Sequence, residues 1–97
     1  MPRLSPTESL ILGLLVRGDD MYGLELVAAS GGRVKRGTVY VTLGRMEDKG
    51  LIVSRLKAPP PEAGGMPRRV YRATAFGHRV LNAWTHAVAL LKPESAS

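Results

Sequence analysis

The chain contains no cysteine. That excludes a disulfide framework, a thiolate nucleophile and any zinc or iron–sulfur site built on cysteine. It also lacks a long hydrophobic run. The longest, Leu10 to Val16, is interrupted by Gly13 and is far shorter than the ~20 residues that span a bilayer. The first residues, Met1-Pro2-Arg3-Leu4-Ser5-Pro6, carry no basic segment leading into a signal core. The expectation is a soluble, cytoplasmic protein. No glycine-rich loop follows a strand, so a phosphate-cradling nucleotide site is not expected. His78 and His86 are too few and too far apart for a metal site of their own and read as surface or interface residues. Asp19-Asp20 and Glu47-Asp48 are adjacent pairs that point in different directions on a helix. They read as caps or surface charge rather than as a catalytic dyad. Neither an enzyme nor a cofactor is expected.

What remains is 97 residues with a net charge of +6, enough for one small fold with a modest core. The charge is concentrated. From Arg33 to Arg79 run eleven basic residues: Arg33, Lys35, Arg36, Arg45, Lys49, Arg55, Lys57, Arg68, Arg69, Arg72 and Arg79. Only Glu47, Asp48 and Glu62 oppose them. A basic middle between more acidic ends is the footprint of a polyanion-binding surface, although a merely solvated surface has the same composition. The local pattern has to decide.

Ser5, Pro6 and Glu8 form a capping-box start. Leu10, Ile11, Leu14 and Leu15 follow at helical spacing, so the spacing predicts a helix over about 6–17, ended by Gly18. Asp19 or Asp20 is placed to cap a second helix reaching about Ser30, with Tyr22, Leu26 and Ala29 on one face. Gly23 in that helix points to a second helix passing close by. Thr38 to Lys49 reads as a third helix. Val39, Leu43 and Met46 form its core stripe, and Thr38, Val41, Thr42 and Arg45 lie on the opposite face. Three tightly joined helices, the last presenting such a face, describe a helix-turn-helix unit.

The period then changes. Residues 51–57 and 69–74 read as two strands. The proline- and glycine-rich segment from Ala58 to Pro67 joins them as a loop too long for a tight turn. The result is a hairpin with a protruding tip, a wing, with Lys57, Arg68 and Arg69 at its base. Thr74 caps a last helix running to about Leu91 and ended by Pro93. Leu81, Trp84, Val88 and Leu91 form a seam suited to pairing with another helix. The tail from Glu94 to Ser97 reads as frayed.

Several segments together resemble the PadR-type (phenolic acid decarboxylase repressor) transcriptional regulators. They are Leu12-Gly13-Leu14-Leu15, Met21-Tyr22-Gly23-Leu24-Glu25-Leu26, Gly37-Thr38-Val39-Tyr40 with Thr42-Leu43, Gly50-Leu51-Ile52, Pro67-Arg68-Arg69-Val70-Tyr71-Arg72, and Thr74. The resemblance covers roughly Glu8 to Trp84. It departs from the family pattern at Val41, where proline is usual, at Gly44-Arg45, where a charged or polar pair is usual, and at Ala75, where an acidic residue is common. It implies a winged-helix fold, mainly α with a small β-hairpin wing. It also implies a homodimer and binding to palindromic operator DNA. The single C-terminal helix resembles the family's short branch, in which that helix serves mainly for dimerisation. The expected division is therefore a winged-helix DNA-binding domain over 1–74 and a dimerisation helix with its tail over 75–97.

The expected function is a sequence-specific double-stranded DNA-binding regulator, acting as a repressor. A winged-helix module that binds protein or RNA without operator specificity is the alternative. The expected DNA contacts are Lys35, Arg36, Thr38, Tyr40, Val41, Thr42, Arg45, Lys57, Arg68 and Arg69. Arg45 suits guanine, Val41 a thymine methyl, and the two threonines phosphate or base. Arg36 stands at a helix start, where anions are favoured. Tyr40 reads equally as a phosphate contact and as a core tyrosine. Any one of Lys57, Arg68 and Arg69 has Glu62 as an alternative partner. Leu81, Trp84, Val88 and Leu91 are the expected dimer interface. Trp84 reads as a dimer-core aromatic, or as one wall of a cleft for a small aromatic effector.

Overall fold

The first helix starts where the capping residues place it. In the computed structural model, which describes residues 3–18, 20–62 and 64–91, α1 spans Pro6–Arg17. The Ser5 hydroxyl accepts from the Glu8 amide at 3.1 Å, and the Glu8 carboxylate accepts from the Ser5 amide at 2.9 Å. Two otherwise unpaired amides are thus satisfied reciprocally. Ile11, Leu12 and Leu15 are buried on its inner face.

The second element differs from expectation. A short strand, β1 (Met21–Tyr22), precedes α2 (Gly23–Ala29). Asp20 does not cap the helix. The Glu25 carboxylate takes the Tyr22 amide at 2.7 Å instead, and Asp19 lies outside the described residues. Of the face expected for α2, Leu26 is fully buried, Tyr22 partly so, and Ala29 is exposed. Gly23 does meet a neighbouring helix. A Cβ there would stand 2.6–2.8 Å from the ring and hydroxyl of Tyr40, so the tyrosine packs closely on bare backbone.

Helix α3 (Arg36–Asp48) begins two residues earlier than the threonine suggested. Val39, Leu43 and Met46 are its buried residues, the predicted stripe. The chain then enters β2 (Ile52–Lys57), turns through the loop, returns as β3 (Arg68–Ala73), and finishes in α4 (Ala75–Leu91). The sheet order is β1-β3-β2, antiparallel throughout. The Thr74 hydroxyl caps α4 by accepting from the Gly77 amide at 2.9 Å. Pro93 and the tail lie outside the described residues. The core gathers one face from every layer: Ile11, Leu12 and Leu15 from α1, Leu26 from α2, the α3 stripe, Ile52, Tyr71 and Ala73 from the sheet, and Val80 from α4. Burying such side chains stabilises by roughly 1.5–3 kcal/mol each. Four helices, with a hairpin wing projecting beside the third, form a winged helix.

Candidate nucleic-acid interface

Helix α3 buries one stripe and therefore presents the opposite one. Thr38, Val41 and Arg45 are exposed and Thr42 is partly so. Val41, an apolar residue, is 58% exposed. Both threonine hydroxyls donate back into the helix, Thr42 to the Thr38 carbonyl at 3.0 Å and Thr38 to the Lys35 carbonyl at 3.4 Å. Their lone pairs remain free to accept. Lys35 is the N-cap residue and makes no side-chain capping bond. Lys35 and Arg36 are both exposed at the end of the helix whose dipole favours anions.

Tyr40 is 52% exposed, which overturns the core-tyrosine reading. Its ring rests on Gly23 and forms, with Tyr22, Leu24, Arg68 and Arg69, the lining of a cleft of about 140 Å³. Tyr22 and Leu24 are not among the contact residues that the sequence suggests, Tyr22 being read there as part of a helix face. Their place in the cleft depends on β1 pairing with β3, with Tyr22 opposite Val70, and a two-residue strand carries no periodic signal.

The wing divides its cations between two faces. On the outer face, Asp20 joins Arg55 at 2.8 Å and Arg72 at 3.1 Å. The Arg72 hydrogen bond is the largest influence on the Asp20 carboxyl; burial opposes it, and the Arg55 hydrogen bond with the charges of both arginines tips the balance, so the carboxyl is held below its usual range. Asp20 is therefore an ion-pair hub and not a cap, and Arg55 and Arg72 are partly neutralised. Arg68 lies over the Tyr22 ring at 4.3 Å from its centroid, a cation–π geometry. Lys57 is exposed opposite Arg68 in the ladder. On the inner face, Arg69 donates to the Ser54 hydroxyl at 3.0 Å. Among the described residues, Glu62 forms no ion pair with Lys57, Arg68 or Arg69. Tyr71, buried on that inner face, has its hydroxyl pKa raised, by burial first and by the nearby Glu47 carboxylate second.

The expected contacts thus fall into two adjoining groups, the outward face of α3 and the three wing cations at the hairpin's end. The α4 residues lie apart from them. Leu81, Trp84 and Val88 are partly buried, and Leu91 is 83% exposed. His78 and His86 are exposed. No helix among the described residues is long and apolar enough to cross a membrane.

The sequence profile of the transcriptional regulator PadR-like family matches residues 11–83. The chain belongs to that family. The PadR-like family is one of transcriptional regulators, not of enzymes. Transcriptional regulator Rv3488 of Mycobacterium tuberculosis is 47% identical over 51 residues. That match spans 53% of this chain and 44% of the length of Rv3488. Among solved structures, a PadR family transcription regulator from hypervirulent Clostridium difficile R20291 superposes with a TM-score of 0.77 at 29% identity. It covers 90% of this chain and 91% of its own. Bacillus subtilis PadR in complex with operator DNA superposes with a TM-score of 0.69 at 21% identity, over 92% of this chain and 50% of its own. At that identity the likeness is one of fold. As a member of the PadR-like family, the chain has the winged-helix architecture that its residues describe.

Proposed function

We propose that this PadR-like protein binds double-stranded DNA sequence-specifically as a homodimer and represses transcription by occupying a palindromic operator. The observation that carries the reading is the α3 surface of Thr38, Val41, Thr42 and Arg45, left outward by a buried stripe on the opposite side, with Arg68 and Arg69 of the wing lining a cleft against Tyr40 of the same helix. A helix of this kind enters a major groove, where base edges present a distinguishable code. The wing cations, with Lys35, Arg36 and the Tyr40 hydroxyl, then meet phosphates, which position the protein without reading sequence. Bacillus subtilis PadR, of the same fold, was crystallised with operator DNA, which supports the same use of the fold here.

The dimer rests on α4. Gly77 and Val80 of this helix are buried and Leu81 and Trp84 pack partly against the core, while Val88, Leu90 and Leu91, with the exposed part of Trp84, leave an apolar surface on its second half. A second copy would cover it and set two α3 helices about one turn of DNA apart. On this division residues 1–74 hold DNA and 75–97 hold the partner. A small planar aromatic effector between paired Trp84 side chains would couple ligand to DNA. Tryptophan fluorescence titrated with planar aromatics tests it, and no quenching at sub-millimolar levels removes the effector. Selection from random duplexes tests the main reading. Enrichment of one palindromic sequence supports it. Retention of RNA, or of no nucleic acid at low salt, points instead to an RNA- or protein-binding module.

A further inference from the structure

A polar relay runs between α3 and the wing, reaching Arg69 through Glu47 and Ser54, which no sequence motif marks. Ser54 shares the inner face of β2 with Ile52 and stands opposite Tyr71, so its side chain faces α3. Its hydroxyl donates to Glu47 Oε2 at 2.8 Å and accepts from Arg69 Nη1 at 3.0 Å. A hydroxyl has one proton. Given to the carboxylate, it leaves the lone pairs turned to the guanidinium. Opposite charges at the two ends make both bonds charge-assisted and polarise them in the same direction. Arg69 pairs in register with Leu56, not with Ser54, so the guanidinium is drawn back along the hairpin toward α3. Among the described residues no ion pair joins Arg69 to Glu47 directly. A direct fork would occupy two N–H groups, whereas the serine occupies one and leaves the others at the cleft that Tyr40 and Arg68 also line.

We propose that Glu47 and Ser54 are positioning residues for DNA binding, holding Arg69 at the seam between α3 and the wing so that its remaining N–H groups meet a backbone phosphate while α3 lies in the groove. The inference rests on the DNA-binding reading above and adds a sign to it. A carboxylate on a DNA-facing helix repels phosphate, so by field alone its removal tightens binding. Through the relay its removal weakens binding, because Arg69 loses its anchor.

The test is fluorescence anisotropy with a selected duplex across a range of salt. It compares wild type with Glu47→Ala, Ser54→Ala, Ser54→Thr, Arg69→Ala and the Ser54→Ala/Arg69→Ala double variant, with thermal melts confirming that each is folded. Glu47→Ala and Ser54→Ala each weaken binding about tenfold or more, the size of one hydrogen bond to a charged group. Ser54→Thr, which keeps the hydroxyl, restores affinity. Arg69→Ala flattens the log–log salt dependence by about 0.9 per protomer, one phosphate contact. Ser54→Ala then has no further effect in the Arg69→Ala background. Tighter binding by Glu47→Ala, or losses from Ser54→Ala and Arg69→Ala that simply add, overturns the relay. If wild type binds a selected duplex and the variants match it, the relay alone fails. If wild type binds no duplex, the DNA reading itself fails.

Discussion

At the scale of single residues, Glu8 has two roles that one substitution can separate. It completes the α1 capping box and pairs with Lys49 at 2.7 Å, with its side chain 6% exposed. Burial by itself raises its pKa. The Lys49 hydrogen bond and charge, with the Ser5 amide and hydroxyl, outweigh that and leave the pKa below the ordinary 4.5. A carboxylate depressed on folding contributes stability above its unfolded pKa and loses it as pH falls through the folded value. Glutamine still closes a capping box, so Glu8→Gln removes the ion pair while keeping the cap. Urea unfolding at pH 7 is expected to show a loss of about 1–2 kcal/mol, since Lys49 is partly exposed. The gap between variant and wild type should narrow at pH 3 to 4. A constant gap would mean that the pair does not set the acid response. Two glycines make a second contrast. A Cβ at Gly77 would run into the Leu51 carbonyl and stand 3.3 Å from the Leu12 side chain. Gly77→Ala should therefore destabilise by roughly 3 kcal/mol, as overpacking against fixed backbone does. Gly44, mid-helix and exposed, has nothing within 4 Å. Gly44→Ala should stabilise by about 0.5–1 kcal/mol through helix propensity. Paired denaturation curves check both.

At the scale of elements, what was legible in the sequence was what local chemistry decides. Ser5, Pro6 and Glu8 located the start of α1, and Thr74 that of α4. The Val39, Leu43 and Met46 spacing oriented α3, and with it the outward face. Proline and glycine marked the wing loop. The elements that misled are those decided by tertiary partners. The strand β1 exists because Met21 and Tyr22 find the open edge of β3, and Asp20 turns from cap to ion-pair hub because Arg55 of β2 and Arg72 of β3 converge on it. The Glu47–Ser54–Arg69 relay was out of reach for the same reason, although strand alternation does place Ser54 on the inner face. Helix α4 carries the prediction at this scale. Its core anchors lie in its first half, so Val88→Glu should leave the winged-helix unit folded by circular dichroism. If the second half meets a copy of itself, sedimentation should show dimer for wild type and monomer for the variant, with DNA affinity falling more than tenfold as the two α3 helices lose their tether. Equal masses would exclude α4 as the interface.

At the scale of the molecule, the charge distribution decides how specific and general attraction divide. Asp20 partly neutralises Arg55 and Arg72, and Glu8 pairs Lys49. The cations left to meet phosphate are Lys35, Arg36, Lys57, Arg68 and Arg69, all exposed. If each neutralises one phosphate in both protomers, the slope of log affinity against log salt should be about −9. Arg45 stands apart from them in kind. It lies on the groove-facing stripe with Thr38, Val41 and Thr42, where a bidentate pair with guanine discriminates by roughly 1–3 kcal/mol. Arg45→Ala should therefore lower affinity for a selected duplex by that amount and leave random-sequence binding and the salt slope nearly unchanged. Lys57→Ala should do the reverse, weakening both duplexes alike and flattening the slope by nearly one unit per protomer. Titrations of both variants on selected and scrambled duplexes at several salt concentrations separate the roles. Equal losses on the two duplexes for Arg45→Ala would make that residue a phosphate contact and shift the reading of sequence onto Val41 and the two threonines.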